Sequence, residues 1–216
     1  MIDFHTHSLL SDGQLLPTEL VQRAKVKGYR AMAITDHADE SNIEFIIRQI
    51  TKVCKQLNRD KWFKLIPGVE LTHIPPHLIP SMVKKARTLG AGIVVGHGET
   101  LAEPVARGTN MAYIRSRVDI LSHPGLVSVD ECALAVKNSV IFEITSRAGH
   151  GISNGHVAAA AKKYGVNLVL NTDSHAPGDL ITDESALNVA LGAGLNTTDF
   201  RRMQKNAEEV LKRIYG

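Results

Sequence analysis

Seven short runs rich in Val, Ile and Leu recur at even intervals along the 216 residues, and this recurrence constrains the fold more than any other feature. They are IDF at 2–4, AMAIT at 31–35, KLIPGVEL at 64–71, AGIVV at 91–95, VDIL at 118–121, SVIFEI at 139–144 and VNLVL at 166–170. Each has the length of a strand and is apolar on both parities, as strands covered on both faces are. Segments with helical spacing lie between them. One opens with Pro17-Thr18-Glu19, carries Leu20, Val21 and Ala24, and ends near Gly28. Others run from Ser41 to Leu57, Val129 to Lys137, Gly155 to Tyr164 and Asp183 to Leu191, with an amphipathic helix from Thr198 to Ile214 closing the series. Alternation of this kind predicts a parallel α/β domain, and both a doubly wound sheet and a closed barrel fit the count. No GxGxxG follows the first run, which weakens the dinucleotide-binding version.

Composition narrows the class. A hydrophobic fraction of 44% and a charged fraction of 22% are ordinary for a soluble globular chain. No apolar stretch approaches the roughly 20 residues of a membrane helix, and no signal-peptide pattern opens the chain. The two cysteines, Cys54 and Cys132, form no CxxC pair, so a reducing cytoplasm is the expected location. A net charge of +3 without any Lys/Arg run argues against nucleic acid as a partner.

The ten histidines are informative through their positions. The first run leads into His5-Thr6-His7, followed by Asp12-Gly13, and the second into Thr35-Asp36-His37. The third ends in Glu70, the fourth leads into His97 and Glu99, and the fifth into His123. Glu143, Thr145 and Arg147 close the sixth, and Asp173 and His175 follow the seventh. Each run thus delivers polar residues at its C-terminal end, the rim on which barrel enzymes build their sites. Residues i and i+2 of a strand share a face, so His5 and His7 can address one ion, as can Asp173 and His175. His73, His77, His150 and His156 lack this register and read as structural. Mixed imidazoles and carboxylates suit Zn, Mn, Fe or Co. The candidates outnumber the ligands of one ion, which implies two or three ions bridged by a carboxylate.

As an ordered set, the HxH, SDG, TDH, GxE, GH, SHP and DxH motifs resemble the PHP (polymerase and histidinol phosphatase) superfamily over residues 2 to about 177. The resemblance implies a single domain over 1–216: a distorted (β/α)7 TIM-like barrel to about 177, then closing helices from about 178. It also implies three metal positions: one held by His5, His7, Glu70 and Asp173; a second by Glu70, His97 and His123; a third by Asp12, His37 and His175. Glu70 would bridge the first two. Two to three divalent transition-metal ions, Zn, Mn or Fe, are the expected cofactors. Many stand-alone family members carry His where this chain has Asp12, an oxygen ligand that favours Mn or Fe there.

The expected activity is hydrolysis of a small-molecule phosphomonoester, of the histidinol-phosphate or nucleotide kind, by a metal-bridging hydroxide. Arg147 is the candidate phosphate clamp because its planar fork matches two phosphate oxygens, and Gly149, Gly151 and Gly155 suggest a mobile loop around it. Arg107 and Arg115 are weaker candidates. Asp36 and Glu99 flank ligands and are candidates to orient them. The alternatives are a 3′–5′ exonuclease or other phosphodiesterase on the same metals, and a non-catalytic metal-binding module.

Overall fold

The computed structural model describes residues 1–59 and 62–215. Its strands are β1 (Ile2–Asp3), β2 (Ala31–Ile34), β3 (His37–Ala38), β4 (Lys64–Leu71), β5 (Ile93–His97), β6 (Ile120–Ser122), β7 (Ile141–Thr145) and β8 (Leu168–Asn171). The main path runs β1-β2-β4-β5-β6-β7-β8, with all pairs parallel. β3 continues the line of β2 on β4 in the same register, Ile34 opposite Pro67 and His37 opposite Glu70. The second strand is therefore one strand broken at Thr35-Asp36. A parallel bridge between Thr6 and Ser174 draws the two edges together, aided by Phe4 N–H donating to Asn171 Oδ1 at 2.9 Å. The result is a nearly closed barrel of seven parallel strands, as the recurrence of apolar runs predicts.

The helices are α1 (Pro17–Val26), α2 (Ile43–Leu57), α3 (Ile79–Thr88), α4 (Thr109–Arg115), α5 (Val129–Asn138), α6 (Asn154–Tyr164), α7 (Asp183–Gly192) and α8 (Thr197–Tyr215). Two of them, α3 and α4, fall outside the helical segments read from the sequence. α3 does bury Ile79, Met82, Val83 and Ala86 at helical spacing, but Pro75, Pro76 and Pro80 mask its start. α4 has only seven residues, too few for a periodic signal.

Four strands, β5 to β8, begin two residues later than the apolar runs suggest, and the helix ends explain why. The N–H groups of Ala91, Val118, Val140 and Val166 donate back to Ala86, Tyr113, Ala135 and Ala161. Each follows a residue of positive φ, Gly90, Arg117, Ser139 or Gly165. This is the six-to-one bond of a Schellman cap with its apolar follower. These side chains therefore close helices, although they read as strand starts.

Inside the barrel, Ile2, Phe4, Ala31, Ala33, Ile66, Ile93, Val95, Ile120, Ile141 and Val169 form one apolar cluster. Ala207 and Val210 of α8 join it, so the last helix plugs the end of the barrel opposite the strand C-termini. The inward parity then carries the chain to the other end: Ile66 leads to Glu70, Val95 to His97, Ile120 to Ser122, Ile141 to Glu143 and Val169 to Asn171. β1 departs from this rule. Ile2 of β1 and Phe4 just beyond it are interior, yet His5 and His7 have the opposite parity. β1 stops at Asp3, whose Oδ1 accepts from His5 N–H at 3.1 Å, so the pleat is interrupted before the histidines.

Candidate metal centre

Nine of the sequence-predicted residues, His5, His7, Asp12, His37, Glu70, His97, His123, Asp173 and His175, meet at the C-terminal rim. Glu70 lies at their centre and is fully buried. His37 Nδ1 is 2.8 Å from Glu70 Oε2, and His5 Nε2 is 3.2 Å from Oε1. His123 Nε2 and His7 Nε2 stand 3.6 and 3.8 Å from the same carboxylate. Ser122 Oγ fixes it by donating to Oε1 at 2.7 Å. Asp173 faces His7 and His5 at 3.2 and 3.5 Å. Asp12 faces His175 and His37 at 3.3 and 3.6 Å.

The ligand atoms fall into overlapping groups that could each hold an ion: His5, His7 and Glu70; His5, His123 and Asp173; Glu70, His97 and His123; and His7, Asp12, His37 and His175. These groups differ from the expected positions in two ways: His123 lies with His5 and Asp173, and His7 also lies with the Asp12 group, its ring stacked 4.1 Å from His175 and tilted 4.2 Å from His37. The donor set fits cations on a second ground. His5 Nε2, both His7 nitrogens, His97 Nδ1, His123 Nδ1 and Asp173 Oδ1 are buried without a hydrogen-bond partner. Each such atom costs about 1–3 kcal/mol unless something satisfies it. A divalent ion does so for imidazole and carboxylate together.

Electrostatics agree. Burial lowers His5, but Glu143, Glu70 and Asp173 outweigh it and hold the imidazole well above its usual value. Burial, then His37 and His5, drive His7 well below. Burial and His97 do the same to His123. Burial pushes Asp173 up to about 7, against the pull of His5. Glu70 goes the other way: burial would raise it, yet His5 and His37 keep it well below the carboxylate range. Crowding of imidazoles on few carboxylates is the state a cation would relieve.

Local backbone serves this convergence. Asp173 and His123 have φ of 51° and 26°, a region that non-glycine residues enter at a cost and that clusters at functional sites. Asp173 and His175 therefore do not project as strand neighbours, as their spacing suggests; β8 ends at Asn171, and a left-handed turn aims them. In the SDG motif, a Cβ on Gly13 would lie 2.3 Å from the His7 carbonyl oxygen. Only glycine lets the Asp12 loop fold onto the HxH segment. Gly96 plays the same part before His97: a Cβ there would meet the Tyr113 ring at 2.6 Å.

The flanking residues are partly reassigned. Asp36 accepts from Ser8 N–H, Ser8 Oγ and Ser11 Oγ, each at 2.7 Å. It fixes the loop that carries Asp12 and takes no imidazole N–H. Glu99 is a helix cap: its Oε1 accepts from Gly108 and Asn110 N–H at 2.9 and 3.0 Å, at the start of α4. The carboxylate that does orient an imidazole is Glu143, buried on β7, which accepts from His5 Nδ1 and Asn171 Nδ2, both at 2.8 Å. Its place at a strand end was legible; its partner was not.

Arg147 stands at the rim, its Nη1 3.2 Å from Asp179 and its Nε 3.8 Å from Asp173. The segment after it is wound into helical turns, since His150–Ser153 is a 3-10 helix and Gly155 lies in the first turn of α6. The stretch expected to be a mobile loop is wound into these turns and tied by Asn154 to both the N–H and the carbonyl of Thr145. Arg115 closes α4 on the outer wall, where it borders Pro80, Val83 and Lys84 of α3.

Two histidines read as structural also reach the site. His73 and His150 join His97 around Glu103, a residue the sequence reading passed over. His73 follows Glu70 by three positions, and His150 follows Arg147 by three, the only signals available. His156 is structural, its Nε2 3.0 Å from the Val127 carbonyl.

Comparison with known proteins agrees with this architecture. The chain is 50% identical to an uncharacterized protein of Methanocaldococcus jannaschii, over 98% of this chain and 99% of that one. It is 24% identical to a probable phosphatase of a Thermoanaerobacter species, over 100% and 98% of the two chains. A chain in the cryo-EM structure of archaeal ribonuclease P with mature tRNA superposes with a TM-score of 0.73 at 18% identity, covering 99% of this chain and 91% of that one, a likeness of fold alone. The profile of the PHP domain matches residues 3–179, and the chain belongs to the PHP domain family.

Proposed function

We propose that this protein is a metal-dependent phosphoesterase that hydrolyses a small-molecule phosphomonoester at the C-terminal rim of the barrel. The observation that carries the reading is the convergence of nine His, Asp and Glu side chains around the buried Glu70, with ligand atoms left without hydrogen-bond partners. Two to three Zn, Mn or Fe ions held there would supply Lewis-acid charge to phosphate oxygens and lower the pKa of water.

The chain's own residues divide the remaining work. Glu70 places one carboxylate oxygen toward His5 and His123 and the other toward His37 and His7, the disposition of a bridge between two positions. Glu143 accepts a hydrogen bond from His5 Nδ1, so that Nε2, which faces Glu70 and Asp173, is the nitrogen that would give up its proton to bind a cation. Ser8 and Ser11, tied to Asp36, hold Asp12 over His37 and His175. Arg147 presents its guanidinium beside Asp173, and its fork is suited to two oxygens of a substrate phosphate. No protein nucleophile is required.

The phosphomonoester assignment is supported by the relative named a probable phosphatase and by a net charge of +3, small for a protein that tracks a polyanion. The test is a panel of phosphomonoesters, histidinol phosphate and nucleoside monophosphates among them, run with Mn²⁺ or Zn²⁺ beside single-stranded oligonucleotides. Release of phosphate from a monoester at kcat/KM far above that for any oligonucleotide is expected. Cleavage of oligonucleotides alone would replace the reading with a phosphodiesterase, and no hydrolysis by metal-loaded protein would replace it with a binding module.

A further inference from the structure

We propose that His73 and Glu103 join His97 in holding a transition-metal ion on the outer side of the centre, so that one metal position draws on two ligands beyond the nine of the motif set. The inference rests on the metal-centre reading above and extends it.

His97 closes β5 and is buried, while His73 and Glu103 come from the loops after β4 and β5. Glu103 Oε2 lies 3.2 Å from His73 Nε2 and 3.2 Å from His97 Nε2. One ligand atom from each of the three residues falls within 4.8 Å of the others. Ligands bonded to one ion at about 2.0–2.2 Å, at tetrahedral or cis-octahedral angles, stand roughly 2.8–3.6 Å apart. The two contacts to Glu103 have that spacing. Among the described residues, the carboxylate oxygen within 4.0 Å of His97 belongs to Glu103, whereas Glu70 is paired with His5, His7, His37 and His123. An ion on His97 is thus offered Glu103 at least as directly as Glu70.

Three further facts point the same way. Glu103 is a rim carboxylate whose ion-pair partners, among the described residues, are His73, His97 and His150, with no lysine or arginine. A carboxylate kept for solubility or for a surface ion pair has no reason to gather three imidazoles. His150 Nε2 lies 3.4 Å from the second oxygen, Oε1, and its Nδ1 is engaged by Thr100 Oγ1 at 2.8 Å, which fixes the ring toward Glu103. His73 holds φ of 53°, a strained conformation for a residue with a Cβ, and that turn is what swings its ring to 5.0 Å from His97. Two nitrogens and one oxygen form a borderline donor set, suited to Zn²⁺ above Mg²⁺ or Ca²⁺.

The test uses metal binding and does not depend on turnover. Full-length protein is stripped with chelator and titrated with Zn²⁺ against a chromophoric competitor, for wild type, Glu103→Gln, His73→Gln and the exposed control His77→Gln. Melting temperatures are measured alongside. Because Glu103 and His73 are both exposed at the rim, the variants should fold as wild type does. Each should bind one Zn²⁺ per chain at least tenfold more weakly and keep the remaining ions, while His77→Gln matches wild type. Equal stoichiometry and affinity in all four proteins would overturn this inference and leave the nine-residue centre standing. A wild type that binds no Zn²⁺ would overturn this inference, and one that binds neither Zn²⁺, Mn²⁺ nor Fe²⁺ would overturn the metal centre as well.

Discussion

Replacing Arg147 separates a substrate role from a structural one, because the structure sets the size of each. The guanidinium makes two acidic contacts, 3.2 Å to Asp179 and 3.8 Å to Asp173. Asp179 does not depend on it, since the same Oδ2 accepts from His175 and Ala176 N–H at 2.9 and 2.8 Å. Arg147→Ala therefore removes a partly exposed ion pair without orphaning its partner, a loss of about 0–1 kcal/mol in stability. A charge-assisted contact to a substrate phosphate is worth more, about 1.5–3 kcal/mol. If Arg147 clamps phosphate, kcat/KM for the best phosphomonoester should fall roughly ten- to a hundred-fold. Metal content and melting temperature should stay close to wild type. Arg147→Lys should recover only part of the loss, because an ammonium cannot make the two-pronged contact. Steady-state kinetics, elemental analysis and calorimetry on the three proteins decide the matter. Unchanged kinetics in Arg147→Ala would refute the clamp and assign the residue to the turn at 175–179.

Glu70→Gln keeps the size of the side chain proposed to bridge two metal positions and removes its charge; hydrolysis should collapse and metal content fall, with the far-UV circular dichroism of the barrel retained. Near-native turnover would remove Glu70 from its central role. Stability of metal-free protein should also depend on Asp3, which is fully buried and raised by that burial from 3.8 to about 6. The folded state holds this proton to higher pH than the unfolded state, so its contribution is present below about pH 4 and lost as pH rises to about 6. About two pK units correspond to roughly 3 kcal/mol. Chelator-treated wild type should lose about that much relative to Asp3→Asn between pH 4 and 7 in urea titrations, and parallel pH profiles would contradict the assignment.

Much of this was legible in the sequence because both signals are local. Strand runs apolar on both parities name a parallel sheet, and polar residues at their C-terminal ends name the rim. What stayed hidden depends on tertiary contact. Glu99 and Glu103 are four residues apart in one loop, and only the fold shows that the first caps α4 while the second reaches three imidazoles. His150 carries no strand register, since it enters the site from a 3-10 turn that Thr100 orients. The parity break after β1 was equally invisible: His5 and His7 share a face as read, but Asp3 decides which face by ending the strand. Val118 and Val140 misled for the opposite reason, because an apolar follower of a Schellman cap looks like the first residue of a strand.

The central claim, that the rim is a multinuclear metal centre, is tested most directly by counting ions. Protein purified without chelator and analysed by inductively coupled plasma mass spectrometry should carry roughly two to three Zn, Mn or Fe ions per chain, the number that overlapping His, Asp and Glu groups accommodate. A single ion per chain, or none after incubation with these metals, would contradict it.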